Sequence, residues 1–369
     1  SPPQDIGDQA LIGAAGAGGG DVSAWKELGR TSVTNGTDLD ITGLANKRYL
    51  MTVNAFTHSA GQARPTWQFN GVGTASYSRR YRLDNSSDST QAEAYSLFWR
   101  PDTGWGNGQD FMVSWIHNKS SPADQQNTKQ QIGWNVAGDD IGDANEPHVV
   151  QGAGMWDCRT SGINSTTVID EIAYSLAGST TSFSATSEAI VLGYDPDDTH
   201  TEGFWEELGS GKLTSAGILN SGTFTTKKYL WFQAWAQMDS TTGDGDMKLR
   251  LNGNDDTFDT FASSYEVNGG GNVVQNNQTT GWCGWQVIRK PTGGTFVNGF
   301  ILNDSSKEKL CYVEGTNNDN PNYGSTTPTY RSTSAIKCED TTNITSIQLF
   351  DSSSNNYSSG SWIKVWGAN

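Results

Sequence analysis

The stretch Trp25-Lys26-Glu27-Leu28-Gly29 returns later in the chain as Trp205-Glu206-Glu207-Leu208-Gly209. The stretch Lys47-Arg48-Tyr49-Leu50 returns at the same offset, without a gap, as Lys227-Lys228-Tyr229-Leu230. A sequence that resembles itself at a fixed offset indicates a structural unit that occurs more than once. The sequence therefore predicts two domains of one fold that are related by internal duplication.

Further matches keep the same order along the chain. They are Phe69-Asn70-Gly71 with Leu251-Asn252-Gly253, Trp115-Ile116-His117-Asn118 with Phe300-Ile301-Leu302-Asn303, and Ile169-Asp170-Glu171-Ile172 with Ile344-Thr345-Ser346-Ile347. The matches predict an N-terminal arm (1–22), repeat one (23–195), a linker (196–203) and repeat two (204–369). The linker is acidic and rich in turn-forming residues.

Each repeat reads as a series of short strands. The stretches 49–56, 229–235 and 362–366 are rich in aromatic and β-branched residues. The stretch 168–176 also fits a short helix, although its partner in repeat two alternates like a strand. Short strands with frequent turns are typical of β-sandwiches. We therefore predict an all-β fold with two tandem jelly-roll-like β-sandwich domains, preceded by an extended Gly-rich N-terminal arm.

The predicted arm combines a run of Gly and Ala with a few apolar side chains, Ile6, Leu11 and Ile12. A Gly-rich run is costly to order in solution. A purely solvated leader would not need the apolar residues, so they predict that the arm becomes ordered against a neighbouring subunit, where contacts offset the lost entropy. Ile6, Leu11 and Ile12 are therefore candidate assembly residues.

Composition limits the partners and the redox chemistry. The net charge of −16 argues against nucleic acid, because phosphate binding needs clustered Lys and Arg. The chain has no run of about 18 apolar residues, so we expect no membrane contact through a spanning helix. The 4 cysteines lack C-x-x-C spacing, which excludes a zinc site of the usual type. We expect buried free thiols, with a Cys311–Cys338 disulfide as the alternative that geometry decides.

Motifs for catalysis are weak. The histidines have no metal-ligand spacing, and neither a G-x-S-x-G elbow nor a P-loop occurs. Asp170 and Glu171 form the best carboxylate pair, but repeat two lacks carboxylates there, and neighbours in a strand point to opposite faces. His117 corresponds to Leu302, which predicts packing rather than catalysis. We therefore predict a non-enzymatic protein without catalytic residues.

Three acidic clusters could hold Ca²⁺ through carboxylate oxygens, although none has the twelve-residue EF-hand pattern. They lie at 139–143, 195–198 and 244–246. Solvated acidic loops are the simpler interpretation. We therefore expect no cofactor and no metal, with Ca²⁺ at these acidic loops as the open alternative.

Three tryptophans stand in loop-like sequence specific to repeat one: Trp105, Trp134 and Trp156. A Trp flanked by Gly and Asn can present a flat face to a sugar ring, while nearby Asn and Asp bind its hydroxyl groups. The alternative is that these indoles cap the ends of a sandwich. We take the three tryptophans as candidate glycan-binding residues.

The repeated motif resembles a known family. The motif is Trp-x-Glu-Leu-Gly, then two basic residues with Tyr-Leu, then Phe/Leu-Asn-Gly, and last an Arg-Arg-Tyr or Ser-Ser-Tyr strand that leads to Asp or Asn. Residues 25–84 carry it, and residues 205–268 carry it again. This pattern resembles domains in virion structural proteins of marine tailed bacteriophages. The resemblance covers both repeats and brings no catalytic residues. It implies a phage virion protein of the tail fibre, appendage or capsid decoration type.

The resemblance also implies partners. We expect copies of the chain itself (a homo-oligomer, with a trimer as one form), other virion proteins, and host-surface polysaccharide, but no nucleic acid and no membrane. The expected location is the virion. Two other functions stay open: a secreted carbohydrate-binding protein with two β-sandwich modules, and a jelly-roll glycoside hydrolase or lyase. Release of reducing sugar would indicate the last of these.

Overall fold

A computed structural model describes most of the chain after residue 23. The described ranges are 24–58, 64–73, 76–84, 89–94, 97–98, 108–118, 128–138, 147–157, 168–177, 182–199, 203–239, 247–253, 260–267, 273–278, 283–284, 294–317, 330–351 and 356–369. Within them every regular element is a strand, and no helix suited to cross a membrane occurs. Two compact units form: the first contains Val149–Glu206 and the described residues before position 139, and the second contains the described residues of Glu207–Asn369. Residues 147 and 148, where β10 begins, are grouped with the second unit by their contacts, although the rest of β10 belongs to the first.

The strands of the first unit form two antiparallel sheets. They are β1 (Lys26–Gly36), β2 (Asp38–Thr42), β3 (Tyr49–Thr57), β4 (Arg64–Phe69), β5 (Tyr77–Leu83), β6 (Ser89–Ala94), β7 (Leu97–Phe98), β8 (Gln109–His117), β9 (Thr128–Gly138), β10 (His148–Asp157), β11 (Glu171–Ala177) and β12 (Phe183–Tyr194). The large sheet has the order β1-β12-β3-β8-β9-β10-β5-β6, and the small sheet has the order β2-β11-β4-β7.

The second unit has the same strand order. Its strands are β13 (Glu206–Lys212), β14 (Leu219–Asn220), β15 (Tyr229–Gln237), β16 (Met247–Leu251), β17 (Thr260–Val267), β18 (Val273–Gln278), β19 (Cys283–Gly284), β20 (Gly294–Leu302), β21 (Lys309–Asn317), β22 (Tyr330–Cys338), β23 (Ile347–Asp351) and β24 (Trp362–Ala368). The large sheet runs β13-β24-β15-β20-β21-β22-β17-β18, and the small sheet runs β14-β23-β16-β19. Each strand thus occupies the place of the strand twelve earlier.

Each unit is a β-sandwich because alternate side chains of its two sheets share one core. In the first unit, Leu50 and Phe56 of β3 belong to the same buried cluster as Trp67 and Tyr174 of the small sheet. The Tyr174 ring lies 5.5 Å from both the Phe56 and the Trp67 rings. Burial of such side chains stabilises a fold by about 25 cal/mol per Å² of apolar surface. The all-β prediction is therefore confirmed.

The second core is built in the same way, and it contains two of the cysteines. Leu230 and Phe232 of β15 share a buried cluster with Leu249 of β16. Cys311 and Cys338 also belong to this cluster, and both are free thiols. They therefore act as small apolar side chains in the described structure.

The stretch that also fitted a helix is a strand. Residues 171–177 form β11, which pairs with β2 on one side and β4 on the other. Pairing on both sides satisfies the backbone groups of this strand within the small sheet. The helical alternative is therefore wrong.

An asparagine in the left-handed backbone conformation directly follows β4 in the first unit and β16 in the second. Asn70 and Asn252 have φ values of 52° and 55°, which asparagine adopts more readily than most residues. The Asn70 side chain donates to Val168 O at 2.7 Å and accepts from Asp170 N at 3.0 Å. The Asn252 side chain makes the equivalent bonds, to Asn343 O at 2.9 Å and from Thr345 N at 2.7 Å.

A buried asparagine after β8 and after β20 joins two further segments. Asn118 donates from Nδ2 to Lys47 O at 3.2 Å and accepts from Ile169 N at 2.9 Å. Asn303 does the same with Lys227 O at 3.0 Å and Ile344 N at 2.8 Å. Buried backbone groups need such partners, so each side chain anchors a loop that enters the core.

The repeated Leu, Lys and Gly residues also contact one another. A Cβ atom placed on Gly193 would lie 2.5 Å from Leu28 Cδ1 and 2.7 Å from Lys47 Cγ. A Cβ atom on Gly367 would meet Leu208 and Lys227 at 2.5 and 2.8 Å. Glycine therefore lets the Leu and Lys side chains lie directly on the strand in both units.

We expect Asn303→Ala to lower the free energy of unfolding of the second unit by about 1–3 kcal/mol, because it leaves buried backbone groups without partners. Urea unfolding of the full chain measures the change. Asn356→Ala is the matched control, since Asn356 is exposed. Equal stability of the two variants would contradict the anchoring role of Asn303.

Candidate functional site

Two of the three candidate glycan-binding tryptophans are in the interior. Trp134 lies in β9 and is 3% exposed, and Trp156 lies in β10 and is 0% exposed. The prediction that they sit in loops and meet sugars is therefore wrong. Gly133 suggested a loop, but it lies in β9. A glycine is needed at this position because a Cβ atom would lie 2.5 Å from Ser114 Cβ on the neighbouring strand. Close contact between strands, rather than a turn, accounts for that glycine.

Several predicted residues lie outside the described ranges. They are Trp105, the arm residues Ile6, Leu11 and Ile12, and the acidic clusters 139–143 and 244–246. Their predicted roles in glycan binding, assembly and Ca²⁺ binding stay predictions.

The remaining acidic cluster binds basic side chains of the first unit. Asp198 forms an ion pair with Lys47, and Asp197 Oδ2 lies 3.2 Å from Arg48 Nη2. Asp195 Oδ1 is 4.0 Å from the same guanidinium nitrogen. These carboxylates thus face cations of the repeated basic motif. Within the described ranges no group of three or more His, Cys, Asp and Glu side chains is placed to hold a metal ion.

The carboxylate pair considered for a glycosidase lies at the start of β11. Asp170 is exposed and precedes β11, whereas Glu171 is half-buried at its first position. Their backbone N–H groups both donate to Asn70 Oδ1, at 3.0 and 3.2 Å. The repeat two counterparts Thr345 and Ser346 bind Asn252 in the same way. The shared role of these positions is to hold the loop.

The first unit contains a polar group of side chains that sequence reasoning missed, here called the interior polar cluster: His58, Asp110 and Asn135. His58 Nε2 and Asp110 Oδ2 are hydrogen-bonded at 3.2 Å, with side-chain exposures of 0% and 1%. Asn135 Nδ2 donates to Asp110 Oδ1 at 2.9 Å. Gly108 makes room for the imidazole, because a Cβ atom there would lie 2.9 Å from His58 Cε1.

The second unit has Met238, Thr295 and Gly315 at the positions of this cluster. The strand registers establish the equivalence. Asp110 pairs with Phe56 in the first unit, and Thr295 pairs with Ala236 in the second. In the same way, Asn135 pairs with Met112, and Gly315 pairs with Val297. The mismatch between His58 and Met238 was the signal in the sequence that could have revealed the cluster.

A second buried chain of hydrogen bonds links the two sheets of the first unit. Trp67 Nε1 donates to Gln131 Oε1 at 3.2 Å, Gln131 Nε2 donates to Ser114 Oγ at 3.0 Å, and Ser114 contacts Thr52 Oγ1 at 2.7 Å. Burial raises the pKa of the nearby Tyr174 phenol, so its hydroxyl group stays neutral. The equivalent positions in the second unit carry none of these hydroxyl, amide or indole groups: they are Leu249, Cys311, Gly299 and Phe232.

An imidazole held by a carboxylate is an arrangement that can orient a general base. Here both side chains are enclosed, so a substrate in solvent does not reach them in the described structure. Hydrogen bonds between buried polar groups instead hold the ends of β3, β8 and β9 in one register. The interior polar cluster therefore stabilises the fold of the first unit.

Comparison with known proteins does not assign the chain to a family. No protein-family model and no curated protein match the chain. Among solved structures, the LG4-5 domains of the mouse laminin alpha1 chain match 99% of this chain and 93% of theirs, at 9% identity and a TM-score of 0.19. The CBM22-1-CBM22-2 tandem domain of Paenibacillus barcinonensis Xyn10C matches 94% of this chain and 92% of its own, at 9% identity and a TM-score of 0.12. Similarity at this level carries no functional argument.

We expect Asp110→Ala to lower the free energy of unfolding of the first unit by about 3–5 kcal/mol, because it removes the acceptor of two buried side chains. Urea unfolding measures the loss. The matched variant replaces all three residues by those of the second unit: His58→Met, Asp110→Thr and Asn135→Gly. It should recover most of the stability, because removing a whole polar group is less harmful than breaking it. If Asp110→Ala lowered the free energy of unfolding by less than about 1 kcal/mol, this account would be contradicted.

Proposed function

We propose that the chain is a non-enzymatic structural protein of a phage virion, an exposed appendage or fibre-like subunit or a capsid decoration subunit. It consists of two jelly-roll-like domains that arose by internal duplication, repeat one (23–195) and repeat two (204–369), behind a Gly-rich arm. The motif of residues 25–84 and 205–268, which resembles virion structural proteins, supports the assignment.

One observation carries the non-enzymatic part of the proposal: the polar residues that recur in both units hold the framework. Asn70 with Asn252 and Asn118 with Asn303 bind equivalent backbone groups. The interior polar cluster, in contrast, belongs to the first unit and is closed to solvent. Recurrence of structural side chains supports a scaffold better than it supports a reaction.

The proposed partners follow from this role. Virion components assemble by repetition, so the chain associates with copies of itself and with other virion proteins. Many copies on one particle also multiply weak contacts with host-surface polysaccharide. A free secreted carbohydrate-binding protein with two β-sandwich modules is the alternative, and the buried Trp134 and Trp156 do not support it.

An antibody raised against the purified chain tests the virion role. It is applied in immunogold labelling to particles purified on a density gradient from a lysate of cells that carry the coding sequence. We expect regular labelling of intact particles and peptides of the chain in their mass spectrum, at many copies per particle. Complete particles without the chain, which would then occur only in the soluble fraction, would contradict the proposal.

We expect deletion of residues 1–20 to leave the melting transition unchanged while abolishing incorporation into particles. The reason lies in the sequence: Ile6, Leu11 and Ile12 offer apolar contacts that a neighbouring subunit can cover. Replacing these three residues by Ser is the matched milder variant. If the truncated chain still assembles at full occupancy, the arm is not the anchor.

A further inference from the structure

A group of partly exposed side chains crosses four strands of the large sheet in the first unit. Tyr194 pairs with Tyr49, Tyr49 with His117, and His117 with Gln130. In the adjacent row of the same face, Trp115 pairs with Ile132. We call these six residues the aromatic strip. Leu50, the neighbour of Tyr49, belongs to the core, so the strip lies on the opposite face of the sheet.

Three rings of the strip, those of Tyr194, Tyr49 and His117, form a continuous series. Tyr49 and Tyr194 are stacked, with ring centroids 6.0 Å apart and an angle of 20° between the rings. The His117 ring lies 5.7 Å from Tyr49 on the other side, and Trp25 lies 5.7 Å from Tyr194. Packing between neighbours fixes these rings before any ligand binds, which lowers the entropy that binding would otherwise cost.

Exposure distinguishes the strip from its counterpart in the second unit. Tyr49 is 37% exposed and Ile132 is 60% exposed. Gln130 is also exposed, and Trp115, His117 and Tyr194 are half-buried. The corresponding side chains of the second unit are buried: they are Tyr229, Phe300, Leu302, Leu310, Tyr312 and Ala368.

The two units also differ in chemistry at these positions. His117 and Gln130 of the first unit stand where the second unit has Leu302 and Leu310, by the same strand registers. Leucine suits a dry, buried surface, whereas imidazole and amide groups offer donors and acceptors in a fixed place. The first unit therefore combines ring surface with hydrogen-bonding groups, which suits a ligand that has both apolar faces and hydroxyl groups.

Charge narrows the class of ligand. Beside the strip, the carboxylates of Asp195 and Asp197 face the guanidinium group of Arg48, so these local charges offset one another. The whole chain has a net charge of −16. This net charge opposes the binding of an anionic polymer, but it does not affect a neutral ligand.

We propose that the aromatic strip binds a neutral saccharide, with sugar rings against Tyr49 and Trp115 and hydroxyl groups bonded to His117 and Gln130. The inference names the residues for the glycan contact in the proposed function. The binding itself does not depend on a place in a virion, so labelling of particles and binding of sugar can fail separately.

Isothermal titration calorimetry of the full chain tests the proposal with cellohexaose, laminarihexaose and mannohexaose as neutral probes and oligoguluronate as the anionic probe. We expect at least one neutral hexasaccharide to bind and oligoguluronate not to bind. Tyr49→Ala should weaken the binding by roughly tenfold or more, because truncating a central aromatic side chain removes much of the contact.

Two further variants make the test specific. The double variant His117→Leu with Gln130→Leu copies the second unit and should also weaken binding, and it replaces Tyr49→Ala if that variant fails to fold. Ile218→Ala, an exposed apolar residue of the second unit, is the matched control and should bind like the unmodified chain. Binding of none of the neutral probes, binding of oligoguluronate alone, or unchanged affinity in both strip variants would overturn the proposal.

Discussion

A buried asparagine in each unit joins segments that lie far apart in the sequence. Asn118 and Asn303 each bind the loop before β3 or β15 and the loop before β11 or β23. Those second loops place Ile169 and Ile344 in the core, although they are not part of any sheet. A buried backbone amide without an acceptor costs about 1–3 kcal/mol, so the side chain permits the loop to enter the core. This contact joins the end of a central strand of the large sheet to the loop that leads into the small sheet.

Much of the fold was predictable from the sequence. Alternating and aromatic-rich stretches predicted strands such as 49–56 and 229–235, because burial of one face of a sheet requires that pattern. The buried tryptophans were not predictable in this way. Gly133 resembles a loop residue in sequence, and only its contact with Ser114 across β8 and β9 explains it as a strand residue. Contacts of this kind depend on the register of two strands.

The differences between the two units are as informative as the similarities. His58 and Asp110 lie inside the first unit where the second has Met238 and Thr295, and the same sandwich accommodates both sets. On the outer face, His117 of the first unit occupies the position that Leu302 has in the second unit. Comparing the repeats residue by residue could have indicated both places from the sequence. The sequence could not show that one group is enclosed and the other is exposed, because that depends on the tertiary packing.

Hydrogen exchange at two loop amides tests the shared framework most directly. The N–H groups of Ile169 and Ile344 lie outside the strands, yet each donates to a buried asparagine oxygen. The account predicts that both amides exchange as slowly as those in the central strands of their own unit, and that Asn118→Ala and Asn303→Ala each accelerate only the amide in the same unit. Exchange of either amide at the rate of an open loop in the unmodified chain would contradict the account.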